Sequence, residues 1–321
     1  MATLGLTSYI TPAMLLAFAS GVDWKTFPYA GSSAAQQASS QIEICEAVTA
    51  DMDTIANMTL RATLETEQEL GPDWIITILP NGWARFRLSN WPILQIISAQ
   101  VASALASPIS WTTIPSTALI TEHNIPSSTG SIVPSAQGPG ATAVLIAPGY
   151  VDWSNGRKGY LVQAQTINGF PTTGIDQMAY VGATSVHVDD ITGWFNGTLG
   201  AMGTIYDPPF HEHASVVGVY PDTAGSIGGP GALTLSQGLQ FTHTPQVGSG
   251  TSPDQRILFS TMPPALIQAG YYLATYYGLI RGSTAAVMQS ARGIAAPSGM
   301  ARAQSWYTQA ESIVKRYARV L

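Results

Sequence analysis

The sequence predicts an α+β protein: an N-terminal helical hairpin and C-terminal helices frame antiparallel strands, and an all-β module is inserted into that frame. Three observations predict it. Apolar residues recur three and four apart near both ends of the chain, the period of a helix with one buried face. Between Asn57 and Ser110 the period drops to two, with turn residues between the runs. Residues 178–250 then read as a succession of short alternating strands separated by Gly, Pro, Asn and Asp. The organisation that follows has residues 1–177 as the N-terminal part of the frame, 178–250 as the inserted module and 251–321 as the helices that complete the frame.

In chain order, Thr11 and Pro12 open a short helix as N-cap and first-turn proline. A second helix is expected from near Ser32 to about Met52, where Ala35, Ala38, Ile42, Cys45, Val48 and Met52 form one stripe. Strands are expected over the alternating Thr59–Glu67, over Trp74–Leu79 and Trp83–Leu88, and after Pro92, where a proline that opens a strand costs no ladder bond. Residues 120–140 are rich in Ser, Gly and Pro and read as an extended loop. Strands resume at Ala143–Ala147 and Gly159–Asn168, then near Ser185–Val188, Met202–Tyr206, Ala214–Tyr220 and Leu233–Leu235. Met262-Pro263-Pro264 starts a helix to about Arg292, interrupted or kinked near Gly278–Gly282. Ser298–Leu321 reads as a final amphipathic helix ending on cations, which suit the negative end of a helix dipole.

Composition narrows the function classes. Charged residues make up 10% of the 321 residues, against about 25% in ordinary soluble domains. A surface so weakly charged suits a subunit that hides much of itself in an assembly. The net charge of −6 with only 13 Lys and Arg argues against a nucleic-acid reader, which needs clustered cations. The single cysteine, Cys45, allows no intrachain disulfide and reads as a buried small hydrophobe in a cytoplasmically assembled protein. The N-terminus lacks the basic start of a signal peptide, and no apolar run approaches the ~20 residues that span a bilayer. The sequons at Asn57 and Asn196 carry little weight without a signal peptide.

Candidate chemistry is sparse. His211 and His213 sit two apart, on one side of a strand, so both could reach one ion. A third ligand is missing nearby, and histidines on a polar hairpin tip are the alternative. Asp189 and Asp190 are adjacent, so they point to opposite faces and suit a turn better than a paired-carboxylate site. Gly225–Gly231 lacks the Lys-Ser/Thr of a phosphate loop. His123, His187 and His243 have no nucleophile in a recognisable setting. Tyr271, Tyr272, Tyr276 and Tyr277 read as core or interface packing, with a sugar platform as the sharper alternative. No catalytic, cofactor or metal residues are assigned, and the expectation is assembly rather than catalysis.

Several segments taken together resemble a known family. They are Ile10-Thr11-Pro12-Ala13-Met14-Leu15, Gly21-Val22-Asp23-Trp24, the striped second helix, Trp91-Pro92-Ile93-Leu94-Gln95-Ile96-Ile97-Ser98, Gln163 through Pro171, and Met262-Pro263-Pro264-Ala265-Leu266-Ile267-Gln268-Ala269. In this order they resemble the head–tail connector, or adaptor, proteins of long-tailed bacteriophages. That family has a helical hairpin, a strand introduced by a proline-isoleucine step, a strand ending in glycine-phenylalanine and a proline-started helix. The typical adaptor is shorter, and residues 178–250 and 120–140 are extra.

The resemblance implies a structural virion protein. Copies would form a dodecameric ring in the neck between capsid and tail, assembled in the host cytoplasm, with the portal protein on one side and a tail-completion or stopper protein on the other. DNA would pass through its channel without sequence-specific binding. The C-terminal helix is the expected docking element, with Trp306, Ile313, Val314, Arg316, Tyr317 and Arg319 as interface residues, because an aromatic anchor beside a basic face suits an acidic groove; a helix that caps its own domain is the alternative. Two other classes stand beside this one: a tail or fibre-like surface-binding module, and a hydrolase.

Overall fold

The structure, a computed structural model, describes residues 8–18, 20–71, 75–103, 108–122, 142–150, 160–196, 201–245, 257–281 and 299–318. It is a mixed α+β protein with antiparallel sheets and a closed six-stranded barrel. The described residues divide into two compact units, one made of the residues up to Asn57 with Pro171–Ala318, the other of Met58–Phe170.

The first unit begins with helix α1 (Pro12–Ala17), whose N-cap Thr11 accepts a hydrogen bond from the Met14 N–H. Helix α2 (Ala34–Ala56) opens on a full capping box: the Ser33 hydroxyl accepts from the Gln36 N–H, and the Gln36 side chain reaches back to the Ser33 N–H. Such a box satisfies two of the donors that a helix start leaves orphaned. It runs four residues past the predicted Met52 and ends at Asn57 in the left-handed conformation. Of the predicted stripe, Cys45, Val48 and Met52 are buried, Ala38 and Ile42 are half-buried and Ala35 is exposed, while Gln41, Ile44 and Ala56 join the buried face. Burial pushes the Cys45 thiol far up, away from reactivity.

The second unit holds two four-stranded antiparallel sheets. One has the order β1 (Thr63–Gly71), β8 (Tyr160–Asn168), β4 (Ile93–Ser103), β5 (Thr112–Ile114). The other runs β2 (Ile76–Ile78), β3 (Ala84–Arg87), β7 (Ala143–Ile146), β6 (Leu119–Glu122). Ile76, Phe86, Val144 and Ile146 of the second sheet pack with Val101, Ile114, Val162 and Ala164 of the first in one core. Strand β8 ends at Gly169, at φ +103°, where an added Cβ would also run into the backbone carbonyls of Leu60 and Arg61. Only glycine suits both constraints.

Returning to the first unit, the barrel closes in the order β10 (Ser185–Val188), β13 (Gly231–Leu235), β12 (Glu212–Pro221), β11 (Ala201–Tyr206), β14 (Ile257–Ser260), β9 (Thr172–Ile175). Closure removes the unpaired edges that an open sheet exposes. Alternate residues of β12 and β13 point inward, and Val186, Val188, Trp194, Ile205, Val216, Leu233 and Phe259 fill the interior. Gly203 is where β11 passes the Phe259 ring, which would lie 2.7 Å from an added Cβ.

Four strands escape the sequence reading: β5, β6, β9 and β14. The barrel therefore takes strands from both sides of residues 178–250. Strand β14 reads IleLeuPheSer and is buried along its whole length, so it has no alternation to betray it; β5 and β9 are only three and four residues long. Residues 120–122, read as the start of a loop, belong to β6; the rest of that loop lies outside the described residues.

Two helices finish the first unit. Helix α3 (Pro264–Arg281) follows Pro263 as predicted, and the predicted continuation to Arg292 lies outside the described residues. Helix α4 (Gly299–Val314) is shorter than predicted: it tightens into a 3₁₀ turn at Lys315–Tyr317, and Ala318 is extended. Their faces meet through small residues and rings. Ala303 and Ala310 are buried, Tyr272 packs on Trp306 with ring centres 4.9 Å apart, and Tyr276 on Tyr307 at 5.1 Å. Tyr271 turns to stack on Phe18 at 4.4 Å. Tyr277 donates to the Asp51 carboxylate at 2.6 Å and lies under the Arg281 guanidinium. The four tyrosines thus pack α3 against its neighbours. No described helix is long and apolar enough to cross a membrane.

Candidate functional site

The residues expected to dock a partner divide on inspection. Val314 is fully buried in its own unit, and Trp306 is half-buried against Tyr272. Ile313 and Tyr317 are half-buried, Arg316 is exposed, and Arg319 lies outside the described residues. The neighbouring Lys315 pairs with Glu311 one turn back at 2.7 Å.

The barrel presents a different surface. Its described residues include Asp176, Asp189, Asp190, Asp207, Glu212 and Asp222 but no Lys or Arg. Exposed apolar side chains gather at one place on it. Phe210, in the turn between β11 and β12, packs on Phe241 with ring centres 5.2 Å apart. Val181 lies alongside, its N–H donating to the Thr242 hydroxyl at 3.1 Å. All three are substantially exposed, an arrangement that costs hydration free energy unless something covers it.

Beneath this surface lies a buried polar cluster. His243 is 0% exposed, and both of its ring nitrogens face carboxylates: Nδ1 is 2.9 Å from Asp207 Oδ2 and Nε2 is 2.5 Å from Glu212 Oε1. Glu212 Oε2 also accepts from the Gln240 N–H at 2.8 Å. The arrangement recurs on the barrel at His187, whose Nδ1 is 2.6 Å from Asp176 Oδ1 and whose Nε2 is 3.2 Å from Asp222 Oδ2. Burial opposes charging either ring, but the hydrogen bonds and negative charges of the flanking carboxylates outweigh it, so both pKa values lie above the ordinary 6.5. A cleft of about 180 Å³ lined by Met202, Glu212, His213, Ser215, Ser236 and Gln240 opens beside Glu212.

The other sequence candidates have local roles. His213 holds its Nδ1 against the Thr204 hydroxyl at 2.9 Å, and His211 packs edge-on against Tyr206. Among the described residues, no group of three or more His, Cys, Asp and Glu side chains is placed to hold a metal ion. Asp190 organises a turn, its Oδ1 accepting from the N–H and hydroxyl of Thr192 and from the Gly229 N–H. His123 lies outside the described residues. Sequence reasoning passed over His187 and His243 because their carboxylate partners are 11 to 36 residues away in the chain.

Comparison with protein-family models, with curated proteins and with solved structures returns no match.

Proposed function

We propose that the chain is a structural virion subunit of a long-tailed bacteriophage, a head–tail adaptor that forms a ring between portal and tail and lines the DNA channel. The observation that carries this reading is the contact surface on the barrel: Val181, Phe210 and Phe241 stand exposed together on a module whose described residues hold no Lys or Arg. A surface of this kind suits a subunit covered by neighbours. The segments that carry the family resemblance support the reading by where they fall. Thr11 caps α1, β4 follows Pro92, β8 ends at Gly169-Phe170 and α3 follows Pro263. The N-terminal helices, the strands up to residue 177 and α3 and α4 are then the adaptor frame, and residues 178–250 are its addition. The acidic balance of the chain suits a channel through which DNA slides without sticking.

The test is the mass of the virion-associated assembly. A ring of about a dozen copies is expected; a homogeneous monomer in intact virions overturns the proposal. The exposed Phe210–Phe241 pair also favours a second reading, a tail-type surface-binding module. Under that reading, changing both rings to Ser abolishes adsorption to cells, whereas the adaptor reading expects particles that fail at head–tail joining.

A further inference from the structure

A neutral imidazole has one N–H donor and one lone pair, whereas the imidazolium has two donors. In His243 and His187 both nitrogens lie within hydrogen-bond distance of a carboxylate oxygen. A neutral ring would turn a lone pair towards a negative oxygen at one of these contacts, so the geometry calls for the protonated ring at both places.

Each ring joins parts of the barrel that are distant in sequence. His243 ties the segment after β13 to Asp207, at the end of β11, and to Glu212, at the start of β12. His187, on β10, ties Asp176, just after β9, to Asp222, just after β12. These carboxylates are the charged groups acting on the two rings. The barrel's described residues supply no Lys or Arg to replace a lost imidazolium.

We propose that the barrel is a pH-released module, in which the imidazoliums of His243 and His187 staple the strand ends together; deprotonation of His243 as the pH rises frees the Asp207–Glu212 turn that carries Phe210, and deprotonation of His187 frees the ends of β9 and β12. The release stands on the staple geometry. Its consequence, dispersal of the Phe210–Phe241 surface, bears on assembly only through the adaptor reading, and the experiment below measures the release itself.

The sign follows from linkage. Each ring's pKa is higher folded than unfolded, so its stabilisation is complete below about 6.5 and is lost as pH rises through the folded value. Loss of each staple's proton should raise the barrel's opening constant about tenfold for every unit by which its folded pKa exceeds the unfolded one.

The full chain, labelled at histidine, is titrated by NMR between about pH 6 and about pH 10, native and in urea. Hydrogen exchange, corrected for its intrinsic pH dependence, is followed over peptides covering Asp207–Glu212 in the same range. The expected result is that two rings hold their protons to higher pH in the native protein than in urea, and that the turn opens faster as those protons leave. His243→Gln with His187→Gln should flatten the pH dependence of that opening. Equal titration in native and denatured protein overturns the proposal. So does turn opening that ignores the titration, or a folded double variant that keeps the wild-type alkaline response. Should the double variant not fold, the wild-type titration and exchange decide alone.

Discussion

The barrel and the sheet edged by β1 both carry carboxylates against buried strands, and they stabilise them by opposite means. On β1, both carboxylate oxygens of Glu67 share a bifurcated hydrogen bond from the Ser89 N–H, at 2.9 and 2.8 Å. Glu65 accepts from the Asn90 amide at 2.5 Å and from the Thr63 hydroxyl at 3.0 Å. Those donors are neutral and stay protonated at any pH a protein survives. In the barrel the donors are imidazoles, which lose a proton within the working range. The same acidic burden therefore gives one region a pH-dependent fastening and the other a fixed one. The regions also differ in closure: the barrel has no free edge, while β1 is the edge of an open sheet.

The largest effect should come from breaking each core in turn. Phe259 fills the barrel beside Trp194, with ring centres 4.6 Å apart, and Phe86 is fully buried in the core between the two sheets. Truncating either to Ala removes a large buried ring and is expected to cost about 3–5 kcal/mol by denaturant titration. Phe259→Ala should speed hydrogen exchange in residues 171–260, and Phe86→Ala in residues 58–170. Equal acceleration in both regions from either variant would show that the two cores unfold as one.

Next in size are the carboxylates themselves. Glu212→Gln leaves the His243 imidazolium with one anionic partner in a site where the Glu212 side chain is only 5% exposed. Removing one partner of a buried pair costs about 3 kcal/mol or more. Glu67→Gln keeps an oxygen to accept from Ser89 and sits in a half-buried place, so the loss should be about 1 kcal/mol. Denaturant titrations near neutral pH check the order. Above the folded pKa of His243 the ring is neutral in any case, so the Glu212→Gln penalty should shrink with rising pH while the Glu67→Gln penalty holds steady. A Glu67→Gln cost as large and as pH-dependent as that of Glu212→Gln would erase the distinction.

What the sequence revealed follows the same division between local and distant information. Helix α2 was legible because Cys45, Val48 and Met52 of its stripe lie within one stretch of chain, although its Ser33 cap was not read and its end was placed four residues early. Strands β12 and β13 were legible because one face is buried and the other wet, which writes an alternation into the residues. Strand β14 has both faces covered, so Ile257-Leu258-Phe259-Ser260 carries no period, and the barrel could not be closed from the sequence. The staples were illegible for a related reason. His187 and His243 looked isolated because Asp176, Asp222, Asp207 and Glu212 reach them only once the strands are in register. The final helix was overextended because Lys315, Arg316 and Tyr317 continue a helical composition while the backbone tightens to a 3₁₀ turn.

The smallest effect on stability tests the open edge. Leu64 and Leu70 of β1 are 45% and 52% exposed, on the same side as Thr66 and Gln68. An exposed nine-residue edge strand with apolar side chains is a template for pairing with another chain, and natural edges blunt such pairing with Lys. About half of each leucine stands in water, so Leu64→Lys with Leu70→Lys should change unfolding free energy by no more than about 0.5 kcal/mol per site. The pair should nevertheless reduce concentration-dependent self-association measured by light scattering in dilute salt. Equivalent Lys substitutions on the closed barrel away from its aromatic surface, at Tyr220 and Ile227, should leave that scattering unchanged, since no free edge lies beneath them. If the barrel variants suppress self-association as strongly as the β1 variants, exposed apolar area drives it and the open edge does not.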